Sequence, residues 1–225
     1  MLKGLLGASC GMLLLLAAGS AFAQAVNLTE DMAAAQVTIA GNTLEIARNQ
    51  DASATLTGDF AKTSRACPPF CIQRMEPVRG VSTVGELELI AFLQEKVASG
   101  AGVLVDARLP EWFAKGSIPG AVNLPFATLD AENPFRNEIL MALGATPLGG
   151  DTFDFTNAVE LTLFCNGIWS DQSLRGLHAL RLAGYPAEKL HYYRGGMQDW
   201  LILGLSVAVP PVPAAQTAAA EGTQP

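Results

Sequence analysis

The chain has 225 residues, half of them apolar and 16% charged, with a formal net charge of −7. That suits a globular chain with one main core plus small attachments. The acidity, without any Lys/Arg-rich stretch, excludes nucleic acid and anionic membrane surfaces as natural partners.

In chain order, residues 1–23 read as a secretory signal peptide. Lys3 supplies the basic start, Met12 to Ala18 the apolar run, and Ala21-Phe22-Ala23 an A-x-A cleavage site. A retained membrane anchor is the weaker alternative, because Gly19, Ser20 and the A-x-A interrupt the apolar stretch. Cleavage removes Cys10 and Lys3, taking the charge from −7 to −8. The mature chain is then expected in the periplasm or secreted from a bacterial cell, with no membrane attachment.

Residues 24–80 read as a β-rich extension. VTIAGNTLEIARN predicts a hairpin turning at Gly41-Asn42, and SATLTGDF adds a candidate third strand. ACPPFC places Cys67 and Cys71 on a short, Pro-stiffened loop, for which a local disulfide is the first expectation. The alternatives are a redox-active dithiol, a metal site shared with Cys165 and a bridge to Cys165. C-x3-C is not the redox C-x-x-C spacing, and no His or second Cys pair lies nearby to complete a metal site. No metal or cofactor is expected.

Residues 81–208 alternate strand and helix. A helix is expected over 82–98, with a Thr83/Glu86 capping box, then strands at VLVDAR and GAVNLP and a helix over 131–144 from Asn133-Pro134. LTLF is the next strand. Ser170 or Asp171 caps a helix running to Ala183, which Gly184 stops and Pro186 keeps from continuing. LHYY is a strand and GGMQDWLILG a last short helix. The short, nearly all-apolar strands predict an α/β fold: a parallel β-sheet flanked by helices on both faces, with the small β-rich lead-in before it. Residues 209–225, rich in Pro, Ala and small polar residues, read as a disordered tail.

The candidate nucleophile is Cys165, at the end of LTLF and before a glycine loop and a helix start. In open α/β sheets ligands bind beyond the carboxyl ends of strands, and loop amides and a helix dipole there favour a sulfur anion. The bland alternative is an inert buried thiol. Weaker candidates are Arg175 and Arg194, either of which could line a pocket. His178 and His191 read as packing or surface residues.

LVDARLPEWFAKGSIPGAVNLP, LFCNGIWSDQS and LHYYRGGMQDWLILG, in this order and spacing, resemble the rhodanese (sulfurtransferase) family over roughly residues 82–207. The resemblance implies that Cys165 forms a persulfide and passes its outer sulfur on. Asn166, Gly167, Ile168, Trp169 and Ser170 would form the loop whose amides cradle it. Asp106 and Arg108 would be a buried structural ion pair, with Glu111 the acidic residue that follows. Gly195, Gly196 and Trp200 would pack the last helix.

The partners implied are a small sulfur donor or protein persulfide and a thiol acceptor. The departures are Ser117, where the family often has His, and a loop, CNGIWS, without a cation. Asp171 follows that loop, which disfavours a dianionic donor such as thiosulfate and also the related C-x5-R phosphatases. In similar secreted members a second cysteine can occupy the position of Ser170, so Ser170 implies a one-cysteine mechanism. Trp169 is a candidate pocket wall. Two other readings stay open: a binding module that has lost turnover, and a thiol redox partner working with Cys67 and Cys71.

Overall fold

The computed structural model describes residues 25–210, so the expected signal peptide and nearly all of the expected tail lie outside the described residues. The strands are β1 (Ala34–Ile39), β2 (Asn42–Ala47), β3 (Ser82–Val84), β4 (Gly102–Asp106), β5 (Val122–Asn123), β6 (Thr146–Gly149), β7 (Thr152–Asp154), β8 (Glu160–Phe164) and β9 (Leu190–Tyr193). The helices are α1 (Glu86–Phe92), α2 (Pro110–Phe113), α3 (Arg136–Ala142), α4 (Gln172–Leu182) and α5 (Gly196–Ile202).

Five strands form one all-parallel sheet in the order β3-β9-β8-β4-β5. Neighbouring residues on a strand point to opposite faces, and both faces are covered. Val105, Leu163 and Tyr192 face a core with α3 and α4, including Leu140, Leu177 and Leu180. Leu104, Phe164 and Tyr193 face a second core with Leu89 and Ile90 of α1 and Trp200 of α5. The β1–β2 hairpin closes that second core with Ala35, Val37 and Ile46, all essentially buried.

Several expected boundaries move. The hairpin turns at Ala40-Gly41, one residue early: Ile39 pairs with Asn42, and both turn residues have positive φ, 48° and 82°. SATLTGDF makes no strand; Gly58 at φ 61° interrupts it and Gly58–Ala61 is a single 3-10 turn. Ser82–Val84 is an edge strand paired with β9, where β-branched Thr83 and Val84 fit well, so Thr83 caps nothing. The helix starts after Gly85, whose N–H donates to Glu88 Oε2 at 3.1 Å, and ends in a π-helical turn over Leu93–Val97. α3 begins at Arg136 rather than Asn133, because Asn133 Oδ1 accepts from the Phe135 N–H and holds a turn there. The β6–β7 hairpin was not expected at all; it turns on Gly150-Asp151 after a bulge.

Candidate functional site

Cys165 follows the last residue of β8, and the loop Asn166–Ser170 carries the chain to α4. The first turn of α5 holds this loop from below. The Met197 and Gln198 N–H groups donate to the carbonyls of Cys165 and Asn166, each at 3.0 Å. Gly196 makes the approach possible: at φ 57°, a Cβ there would lie 2.4 Å from the Cys165 carbonyl oxygen. Trp200 anchors the same helix, fully buried, its Nε1–H donating to the Ser206 carbonyl at 2.8 Å.

Cys165 is 1% exposed. It accepts from the Ser173 hydroxyl at 3.0 Å and donates to the Ser170 carbonyl at 3.4 Å. The expected cradle of loop amides is therefore not formed around this thiol. Ser170 N–H closes a turn onto the Gly167 carbonyl at 3.0 Å, which leaves the Ser170 carbonyl, an acceptor, turned to the sulfur. The side chain of Asp171 likewise makes no cap bond at the start of α4. Tyr192 shares this dry side of the loop: its hydroxyl is buried without a partner. Burial pushes the phenol above its ordinary pKa.

Asp106 and Arg108 form the expected buried pair, Nη2–Oδ2 2.5 Å and Nε–Oδ1 2.8 Å, with both side chains at most 1% exposed. Arg108 Nη2 also donates to the Gly116 carbonyl, and the Ser117 hydroxyl donates to Asp106 Oδ2 at 2.7 Å. Ser117, the departure from the family pattern, thus completes the carboxylate's partners. Glu111 lies on the surface in the first turn of α2.

The outer side of the loop faces a cavity of about 290 Å³ lined by Asn166, Trp169, Ser170, Asp171 and Gln172. Its far wall comes from the extension: Lys62, Arg65 and Phe70. Arg65 lies over the Trp169 ring, 3.6 Å from its centroid, and Phe70 meets the same ring edge-on at 5.6 Å. Gln73 N–H donates to the Ile168 carbonyl at 2.8 Å, while Arg194 donates twice to the Gln73 carbonyl, at 2.9 and 3.0 Å. Trp169 is a pocket wall, fixed by its Nε1–H on Gln198 Oε1 at 2.6 Å. Cys67 and Cys71 are disulfide-bonded and brace this roof, and Cys165 is free.

Two expectations change here. The loop has no cation of its own, but two reach the cavity from about 100 residues upstream, so Asp171 is not the only charge a ligand meets. Arg175 does not line the pocket: it is exposed and stacked on Phe126, 4.1 Å from the ring centroid. Arg194 does not line it either and instead ties down the roof. His178 is exposed, and His191 is held by Ser82 at 2.6 Å and Glu160 at 3.4 Å. Sequence reasoning missed Lys62, Arg65, Phe70, Gln73 and Gln198; nothing local links KTSRACPPFC to a loop so far along the chain. Among the described residues there is no cluster of His, Cys, Asp and Glu that could hold a metal, and no helix long and apolar enough to cross a membrane.

The family profile described as "Rhodanese-like domain" matches residues 89–203. Among solved structures, the chain is 29% identical to a human single-domain sulfurtransferase, covering 53% of this chain and 94% of that one, TM-score 0.37. It is 18% identical to a rhodanese-related protein of Thermoplasma volcanium, covering 57% and 98%, TM-score 0.36. It is 19% identical to a thiosulfate sulfurtransferase of Pseudomonas aeruginosa, covering 66% of this chain and 25% of that one, TM-score 0.42. No curated protein matches the chain.

Proposed function

The chain belongs to the rhodanese-like family, and on that premise we propose that it is a periplasmic sulfurtransferase in which Cys165 carries sulfane sulfur from a persulfide donor to a thiol acceptor. The observation that carries this reading is the placement of a free thiol at the end of the central strand β8, with a cavity on the other side of the same short loop. The Cys165 thiolate attacks the outer sulfur of R–S–S⁻. A bond from Sγ to that sulfur forms, the donor S–S bond breaks, and the donor leaves as its thiolate. An acceptor thiolate then attacks the outer sulfur, breaks the bond to Sγ and regenerates Cys165. No external oxidant or reductant is consumed.

The chain's own residues have three tasks. Ser173 donates its hydroxyl to the sulfur and supports negative charge there. The α5 amides keep the Cys165 and Asn166 carbonyls turned away from it. Ser170 must swing its carbonyl off the thiol, because a charged sulfur repels that oxygen and because a sulfur 1% exposed cannot meet a donor. Periplasmic placement rests on the leader; the Cys67–Cys71 disulfide is in keeping with an oxidising compartment.

The same burial favours a second reading, a binding module that uses the cavity and leaves the thiol idle. Peptide mapping by mass spectrometry separates the two. Protein purified without reductant is offered a low-molecular-weight persulfide and then a thiol acceptor. Carriage predicts a gain of about 32 Da, one sulfur, on the Cys165 peptide, discharged by the acceptor and absent in Cys165→Ser. No adduct on Cys165, or transfer unchanged in Cys165→Ser, sinks carriage and leaves the binding module.

A further inference from the structure

Tyr192 is fully buried on β9, and its hydroxyl has no hydrogen-bond partner. Buried hydroxyls are paired in the great majority of cases, and one left idle weakens the fold. Three placements bring this one toward the sulfur. Tyr192 pairs with Leu163 on β8, two residues before Cys165, and both side chains pack in the core covered by α4. Ser173 lies on the buried side of α4 one turn before Leu177, which packs in that same core. Ser173 in turn donates to Cys165 Sγ at 3.0 Å. The Tyr192 hydroxyl lies beside that of Ser173, without a hydrogen bond of ordinary geometry. The Ser173 hydrogen is engaged by the sulfur, so its oxygen is free to accept another.

We propose that Tyr192 is a positioning residue for the sulfur anion: when Cys165 ionises, the Tyr192 O–H donates to Ser173 Oγ, and Ser173 then donates more strongly to Sγ. This rests on the sulfur-carrier reading only for its use, since the thiolate is the form that attacks a donor. A negative sulfur draws the Ser173 hydroxyl in and polarises it, so a second donor behind that hydroxyl gains strength. The surroundings are dry, and no water competes for the bond. A hydroxyl idle beside the thiol and paired beside the thiolate favours the thiolate alone. The thiol proton leaves to water once the Ser170 carbonyl has swung aside. Tyr192 and Ser173 each keep their own proton, and burial, which raises the phenol above its ordinary pKa, holds Tyr192 in the donor form.

The test is a pH titration of the thiolate's ultraviolet absorbance in the mature chain, with Cys165→Ser as the blank. The disulfide does not titrate, and burial raises all three tyrosines, Tyr185, Tyr192 and Tyr193, which keeps phenolate absorbance out of the way. Tyr192→Phe should be at least as stable as wild type in denaturant unfolding. Its thiolate fraction on the rising limb should be roughly 10-fold lower, about the worth of one hydrogen bond. The charges around the site are Asp171 before α4, Arg194 after β9, Asp199 on α5 and the Asp106–Arg108 pair at the end of β4. They are the same in both proteins and cancel in the comparison. With Ser173 already replaced by Ala, Tyr192→Phe should have no further effect. Identical titration of Tyr192→Phe and wild type overturns the proposal. An equal displacement with and without Ser173 also overturns it, by putting the phenol directly on the sulfur. A Tyr192→Phe less stable than wild type does so too, by making the hydroxyl a structural bond. Sulfur loading of Cys165 is read separately by mass: a displaced titration without loading keeps the role of Tyr192 and removes the carrier reading, and loading with an undisplaced titration does the reverse.

Discussion

The loop Asn166–Ser170 has two faces that differ in every physical respect. The inner face is dry: Cys165, Ser173 and Tyr192, whose hydroxyl has no partner, are all at most 1% exposed. The outer face is open, charged and aromatic, with Arg65, Lys62 and Asp171 set among Phe70, Trp112 and Trp169. The inner face is built by β8, α4 and α5, the sheet's own elements. The outer face is completed by a segment roughly 100 residues upstream. On the proposed sulfur-carrier reading the difference would separate two tasks: the sheet sets the state of the sulfur, and the extension sets what is allowed near it. Ser170 joins them, its carbonyl on the thiol and its residue in the cavity wall.

The largest effect should come from Arg108→Met, which strands the buried Asp106 carboxylate at the end of β4, next to β8. A loss of about 3–5 kcal/mol is expected in denaturant unfolding, with both faces lost together. Gly196→Ala should break the inner face. Its Cβ meets the Cys165 carbonyl at a positive φ, so about 3 kcal/mol is expected, with solvent exposure of Cys165 rising in thiol titration. A variant as stable as wild type would show that α5 does not hold the loop. Replacing Cys67 and Cys71 together by Ser should touch the outer face alone. The closed loop is short, so about 2 kcal/mol is the ceiling. Binding in the cavity should fall while Cys165 stays protected; an exposed thiol would mean that the roof also seals the inner face.

The smallest effect is a pH dependence at Asp199, on α5. Burial, then the charge of Glu86, raise its carboxyl above the ordinary value, with Arg194 pulling the other way. A raised acid binds its proton more tightly folded than unfolded, so stability falls as pH rises from about 4 through the folded pKa. Asp199→Asn should therefore be more stable than wild type at pH 7, and the gain should vanish below about pH 4. A gain that is the same at both pH values would remove charge as its cause.

Much of the inner face was legible locally. LTLF followed by Cys, a glycine and a helix start reads as a strand end facing a loop, while the place of Gly196 under that loop came only from the structure. Boundaries were less legible where two local solutions compete. Thr83 suits a helix cap and a strand equally, and pairing with Tyr192 on β9 decided for the strand. The orientation of the Ser170 peptide was also beyond the sequence: a loop can turn an amide or a carbonyl to a thiol at similar local cost, and the Gly167–Ser170 turn selects the carbonyl.

The sequence by itself determined the parallel α/β sheet and the position of Cys165 at the end of a buried strand, before a glycine loop, while the pairing of Asp106 with Arg108 came with the resemblance to the rhodanese family. The first two follow from residue types within a few positions of one another, where periodicity and chain geometry leave little choice. Only the tertiary structure decided that Ser117 completes the Asp106 carboxylate's partners and that Arg65, Phe70 and Gln73 roof the loop. Those contacts join segments about ten to 100 residues apart. The roof depends on how the extension packs onto the sheet, and the Ser117 contact on how the chain after α2 folds back onto the end of β4; no local propensity encodes either.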